Sequence, residues 1–275
     1  MIVRYATLAY GANPVVHREA TMLLVSLLAH APQPYEIVVV TDHAERFSWF
    51  GELVRIRVLT PGELNAWRGD APFSMRQKLE AARAVMPSEG ALVFLDADTL
   101  ALADLSPLGQ TFASRTLLMH KREFGLGASG RRGNRQLWNE LQGRAFGGWE
   151  FRAEDAMWNS GVLGVPVTDR ALLDDALSLY DAMAAAGIRH FATEQLVVGL
   201  VLERTGRLRP AERWFTHYWG NKAGYDHEIA VRLDAAHRSG LTPIALADTL
   251  RRDPITLPAE VRPTRLEKIR RWLSH

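Results

Sequence analysis

Two short runs constrain this chain more than anything else in it: Glu36-Ile-Val-Val-Val-Thr41 and Ala91-Leu-Val-Phe-Leu95 are apolar without alternation. A strand with one wet face alternates apolar and polar residues, so an uninterrupted run demands cover on both faces. The neighbouring segments can supply that cover. Ile2 to Ala9 reads as a first apolar strand ending at Gly11, and His17 to His30 as a helix with apolar residues on one side, broken by Pro32 and Pro34. Arg55 to Leu59 reads as a third strand, Met75 to Val85 as a helix and Gly161 to Val165 as a later strand. Helices follow over about Ala171 to Ala186 and Thr193 to Glu203. Strands alternating with helices across short connections define an α/β fold with a mainly parallel sheet flanked by helices. With no internal repeat and no linker-like stretch, residues 1–275 read as a single domain, with a basic C-terminal segment from about residue 250.

Composition narrows the chemistry. The 275 residues are 47% hydrophobic and 23% charged, an ordinary globular balance. Cysteine is absent, which removes disulfides, thiolate metal sites and a cysteine nucleophile, so any metal must be held by oxygen and imidazole. No apolar run reaches the roughly 20 residues of a membrane span, and the N-terminus lacks a signal peptide's basic and apolar regions. The expected location is therefore the cytoplasm. The net charge is only +2, but Arg251, Arg252, Arg262, Arg265, Lys268, Arg270 and Arg271 make the C-terminal segment locally basic. Such a segment is either a solvated surface or a peripheral contact with an anionic membrane. The basic residues are not interleaved with a recognition motif, which argues against nucleic acid as a partner.

In a parallel sheet, ligands bind beyond the carboxyl ends of the strands. Asp96-Ala97-Asp98 begins there, directly after Leu95. Two carboxylates two residues apart on a turn can both reach a divalent cation, and oxygen ligands suit Mg²⁺ or Mn²⁺, with an imidazole favouring Mn²⁺. Asp-x-Asp alone is weak, since it arises by chance roughly once in a chain of this size. Residues 121–152, rich in glycine and arginine, read as an irregular stretch, either surface or a binding loop.

The context of the pair carries a resemblance. VFLDADTLALADLSPL, with apolar segments on both sides of the acids, resembles the GT-A glycosyltransferases, the Rossmann-like nucleotide-diphospho-sugar transferases, and within them family 8, the group of glycogenin and the bacterial lipopolysaccharide galactosyl- and glucosyltransferases. Four further segments are similar to that family and occur in its order. Ser74-Met-Arg-Gln-Lys-Leu79 implies Arg76, assisted by Lys78, as contacts of the donor. Asn159-Ser-Gly-Val162 resembles a turn entering a strand, with Asn159 on the donor sugar. Thr193-Glu-Gln195 stands where the family has Asp-Gln, which implies Glu194 for the sugar hydroxyls and Gln195 near the reacting face. Read without the family, Thr193 is a helix cap and Glu194 a first-turn acid. His217-Tyr-Trp-Gly-Asn-Lys222 resembles a His-x-x-Gly-x-x-Lys segment, one residue shorter here between glycine and lysine. It implies His217 as the third metal ligand, with Gly220 and Lys222 at the diphosphate. The resemblance also implies Ala97, between the acids, as part of the same donor site.

The N-terminus departs from the family. In place of an Asp or Asn-Tyr cluster it has Thr7-Leu-Ala-Tyr-Gly11, so backbone atoms of Thr7 and Ala9 and the ring of Tyr10 are left to hold the base. The resemblance implies a hexosyltransferase that uses a nucleotide sugar, a UDP-hexose, and retains anomeric configuration, with a carbohydrate or glycolipid acceptor. Trp138, Trp149, Trp158, Trp214 and Trp219 are candidates for a sugar-stacking surface, with core packing the simpler role for most of them. The competing readings are a sugar nucleotidyltransferase and a non-catalytic nucleotide-sugar-binding relative. The first lacks its glycine- and arginine-rich phosphate signature in Ala9-Tyr-Gly-Ala-Asn-Pro14.

Overall fold

The computed structural model describes residues 1–69, 75–130 and 132–255. Ser74 and the basic residues beyond Arg252 lie outside the described residues. In chain order the elements are β1 (Val3–Leu8), α1 (Pro14–His30), β2 (Glu36–Thr41), β3 (Arg55–Val58), α2 (Pro61–Arg68), α3 (Arg76–Ala84), β4 (Ala91–Leu95), β5 (Thr99–Ala101), α4 (Leu108–Ala113), β6 (Leu117–Gly125), α5 (Arg132–Leu141), β7 (Ala145–Phe146), β8 (Trp149–Glu150), β9 (Ala156–Pro166), α6 (Ala171–Ala185), α7 (Thr193–Glu203), β10 (Leu208–Pro210), β11 (Phe215–His217), α8 (Lys222–Arg238) and α9 (Pro243–Arg252).

The central sheet runs β3-β2-β1-β4-β9-β6-β10, and every strand except β9 points the same way. The uninterrupted apolar runs serve both of its faces. Ile37, Val39, Val93 and Leu95 join a core with α1, α8 and α9. Val38, Val40, Leu92 and Phe94 join another with α3, α6 and α7. This period-two division is what β geometry imposes on a strand covered on both sides. Helix α1 begins with local chemistry that the chain carries openly: Asn13 Oδ1 accepts from Val15 N–H at 3.0 Å and Pro14 takes the first position.

Two expectations are corrected. Residues 121–152 are largely regular, because β6 extends through Gly125, Arg132–Leu141 is helical, and β7 and β8 form a hairpin. Gly147 and Gly148 both adopt positive φ at its tip, as a two-residue hairpin turn requires. These two glycines therefore mark a tight turn. Helix α5 escaped notice because only Leu137 and Leu141 are buried along it, one turn apart. The second correction concerns Asn159-Ser-Gly161, which lies inside β9, with Asn159 opposite Lys121 of β6 and Val162, directly after it, opposite Leu95 of β4. All eleven residues of that strand are buried, so flanking strands override local turn chemistry.

One ion-pair cluster ties the ends of three strands together. Asp169, just past β9, receives Arg115 Nη2 at 2.7 Å and Arg207 Nη2 at 2.7 Å, and those arginines precede β6 and β10. Burial would raise its carboxyl, but hydrogen bonds from Arg207 and Arg115 outweigh that and hold it at about 2. The unfolded chain then binds more protons than the folded one, so this contribution is present above about pH 4 and lost as pH falls toward 2. Asp169→Asn is expected to lower stability at pH 7 by about 2 kcal/mol and to flatten the acid limb. Urea unfolding at pH 7 and pH 3 checks this, and equal loss at both pH values would contradict it.

Candidate active site

Strand β4 ends at Leu95, and the loop to β5 carries Asp96, Ala97 and Asp98. Its shape is set by one acceptor: the Gly161 carbonyl takes Asp96 N–H at 3.0 Å and Thr99 Oγ1–H at 3.2 Å. Strand β5 then pairs antiparallel with β11, placing His217 opposite Thr99, while Tyr218 N–H donates to the Asp98 carbonyl at 3.1 Å. A two-stranded ribbon thus joins positions about 120 residues apart.

Three ligand-type atoms converge there. His217 Nε2 lies 3.2 Å from Asp98 Oδ1 and 3.9 Å from Asp96 Oδ2, and one ligand atom from each of Asp96, Asp98 and His217 falls within 4.8 Å of the others. The remaining carboxylate oxygens are engaged by lysines. Asp96 Oδ1 is 2.7 Å from Lys78 Nζ, and Asp98 Oδ2 is 3.0 Å from Lys222 Nζ. Each acid therefore keeps one oxygen for the side that faces the imidazole. Burial works against ionisation of Asp98, but His217 and Lys222 outweigh it and hold its carboxyl well below the usual range. The donor set, two carboxylates and one imidazole, fits Mn²⁺ or Mg²⁺.

The imidazole is oriented from behind. Its Nδ1 meets Asn159 Oδ1 at 2.7 Å, and that oxygen also accepts Gly161 N–H at 3.0 Å while Asn159 Nδ2 donates to Glu123 at 3.2 Å. The amide's orientation follows from these partners, so Nδ1 carries a hydrogen and Nε2 is the ring nitrogen placed beside the acids, available to a metal there. Gly161 makes this possible, because a Cβ there would sit 2.3 Å from His217 Nδ1. His120 stands at right angles to the same ring, 5.8 Å away, and burial together with His217 lowers its pKa to about 4, leaving it neutral at neutral pH.

A second buried network lies beside the first. Lys78 donates to Ser160 O at 2.8 Å and Ser160 Oγ at 3.0 Å, and Ser160 Oγ donates to Glu194 Oε2 at 2.9 Å. Burial raises the Glu194 carboxyl despite Lys78, whereas for Lys78 the nearby acids, Asp96 foremost, outweigh burial and raise its pKa. Both groups border a cavity of about 950 Å³ that also reaches Asp96, Ala97, Asp98, Asn159, Gln195, His217 and Lys222. It is near the upper end of the roughly 300–1,000 Å³ of small-molecule sites.

Other expected residues sit elsewhere. Arg76 is held by Asp181 at 2.8 Å and Glu80 at 2.9 Å and does not border the cavity. Thr7 and Ala9 are buried, with Ala9 N–H donating to Val40, and the cavity meets their neighbours Leu8 and Tyr10. The Tyr10 hydroxyl donates to Gln77 at 2.7 Å. Gly220 lies in the turn after Tyr218 and outside the lining, beside Trp219, which is inside it. Ala192, not Thr193, occupies the cap of α7, and Thr193 Oγ1 donates to His190 O at 2.6 Å. Trp158 and Trp214 are buried and Trp138 and Trp149 pack on the core, leaving Trp219 as the exposed one of the five. Arg251 and Arg252 bond to Ala29 and Asp248. Sequence reading missed Glu19 and Glu123. Glu19 had a visible signal, a carboxylate on the same helical face as Leu23 and Leu27, all three of which are buried.

No family model and no curated protein matches the sequence. Among solved structures the chain is similar to mouse xyloside xylosyltransferase 1 in its apo form, with a TM-score of 0.50 and 15% identity over 76% of this chain and 85% of that one. The likeness is one of fold. The mostly parallel helix-flanked sheet is consistent with the GT-A, Rossmann-like class expected from the sequence. Among the described residues no helix is long and apolar enough to cross a membrane.

The Asn159 bond to His217 makes a specific expectation. Asn159→Ala frees the ring to change tautomer and should weaken Mn²⁺ binding by about 10-fold to 100-fold, and Gly161→Ala should do so by displacing the ring. Calorimetric Mn²⁺ titration measures both, and unchanged affinity in the two variants would remove His217 from the metal site.

Proposed function

We propose that this protein is a divalent-metal-dependent glycosyltransferase that moves a hexose from a nucleoside diphosphate donor, UDP-hexose, to a carbohydrate or glycolipid acceptor. The reading rests on one observation above all: Asp96 Oδ2, Asp98 Oδ1 and His217 Nε2 converge at the carboxyl end of β4, inside the large cavity of a GT-A-like sheet. The order of motifs along the chain supports a relationship to family 8, and residues 1–275 act as one GT-A-like unit in this proposal.

Breaking the bond between an anomeric carbon and a diphosphate leaves negative charge on the departing group. Mn²⁺ held by Asp96, Asp98 and His217 supplies Lewis-acid stabilisation of that charge when bound. Lys222, already within 3.0 Å of Asp98, is a second cation for the same group. Asn159 holds the His217 ring, and Lys78 holds Asp96 and Ser160 in place. Glu194 and Gln195, at the start of α7, face the part of the cavity assigned here to the sugar. The reaction proceeds with retention and uses no side-chain nucleophile. Tyr10 and Leu8 at the other end are the wall for the base, UDP's uracil in this reading. Phe191 and Trp219, 74% and 63% exposed, are the exposed large aromatics among the described residues, and both line this cavity. Flat apolar rings at a wet mouth suit the face of an acceptor pyranose.

A panel of nucleotide sugars assayed for Mn²⁺-dependent hydrolysis should yield slow nucleoside diphosphate release. Asp98→Ala is expected to cut that release by about 100-fold or more. Metal-independent UDP binding, equal in wild type and Asp98→Ala by calorimetry, would defeat the reading. NMR of the product anomer tests retention separately.

A further inference from the structure

Glu19 is out of place on α1. The helix is buried almost throughout from His17 to Ala29, and Glu19 is 2% exposed in a stretch with Ala20, Met22 and Leu23. An acid in such surroundings loses its hydration, and burial raises the Glu19 carboxyl to about 7 in spite of the ammonium beside it. An apolar residue would cost less there. What it faces is Lys222: Glu19 Oε1 receives Lys222 Nζ at 3.0 Å, and Lys222 Nζ lies 3.0 Å from Asp98 Oδ2. Glu19 itself lines the cavity.

We propose that Glu19 is a positioning residue that anchors the Lys222 ammonium inside the cavity so that it meets the diphosphate of the donor. The inference rests on the functional reading above and adds Glu19 to it. Lys222 shares two carboxylates. A divalent cation on Asp98 repels the ammonium from that side, and the Lys222 side chain, 42% exposed, has open water beside it. Glu19 is the remaining acid that holds it in. The lysine is thereby kept as a fixed charge for the phosphate oxygens and does not have to be recruited from solvent with loss of its side-chain entropy. The cost is a strained, ion-bearing spot in an apolar helix interface, a stability loss of the kind that binding sites carry.

Glu19→Gln and Glu19→Met separate this role from a structural one, because the two predict opposite signs. Removing Glu19 leaves no buried unpaired charge, since in the metal-free protein the half-exposed Lys222 still has Asp98 at 3.0 Å. Positioning therefore predicts an equal or higher Tm, unchanged Mn²⁺ affinity in the absence of nucleotide, and about tenfold weaker UDP binding in Mn²⁺ by calorimetry. Uridine binding, which involves no phosphate, stays as it was. In a Lys222→Met background Glu19→Met adds no further loss, as a double-mutant cycle of coupled residues requires. A lower Tm with UDP affinity retained, or full loss again in the Lys222→Met background, overturns the proposal. Wild-type protein that binds no UDP at all overturns the functional reading together with this one, whereas wild-type binding equal to that of Glu19→Met sinks this inference alone.

Discussion

Two acids side by side in a sheet cleft, Asp98 buried and Asp96 half-buried, set the terms for everything near them. Removing a carboxylate from water costs several kcal/mol even after relaxation, so acids placed in such a cleft call for opposite charge beside them. The chain answers with Lys78 on α3 for one and Lys222 on α8 for the other. These helices cover opposite faces of the sheet, so the charge balance of the cleft depends on both layers being docked. Each lysine takes one oxygen of its acid, which turns the free oxygens toward His217 and gives the site its geometry.

The imidazole depends in turn on the reversed strand β9. Its Asn159 fixes the ring's tautomer, its Gly161 makes room for the ring, and its Ser160 joins Lys78 to Glu194. Three consecutive residues thus serve three separate constraints. Such a segment has the local character of a turn and is held straight because β9 pairs with β6 on either side of it and with β4 from Val162 onward. Local preference and final conformation part company where the chemistry is concentrated, as expected of a site that stability alone would not select.

Charge accounting also explains the residues that resemble misplaced ones. Glu194 and Glu19 are deeply buried acids whose carboxyls are raised by burial, and each lies against one of the two lysines. Each of these two lysines is therefore shared between an acid that faces the metal-type cluster and an acid behind it. Arg76, by contrast, is satisfied by Asp181 and Glu80 at the edge of α3, and Lys78, two residues further along the helix, reaches the acids.

Much of the architecture was legible in the residues themselves. Strands that must be covered on both faces are written as unbroken apolar runs, and β1, β2 and β4 with α1, α3, α6 and α7 follow from that rule together with the proline and glycine breaks. Asp96 and Asp98 were legible because adjacency in sequence becomes adjacency at a strand end. The tertiary structure decided what depends on distant partners: that Asn159-Ser160-Gly161 is strand, that His217 reaches the acids through the β5–β11 ribbon, that Lys78 and not Arg76 touches Asp96, and that Glu19 faces Lys222 across 203 residues. Local patterns encode hydrogen-bonding period and burial, whereas a charge's partner is set by where whole elements dock.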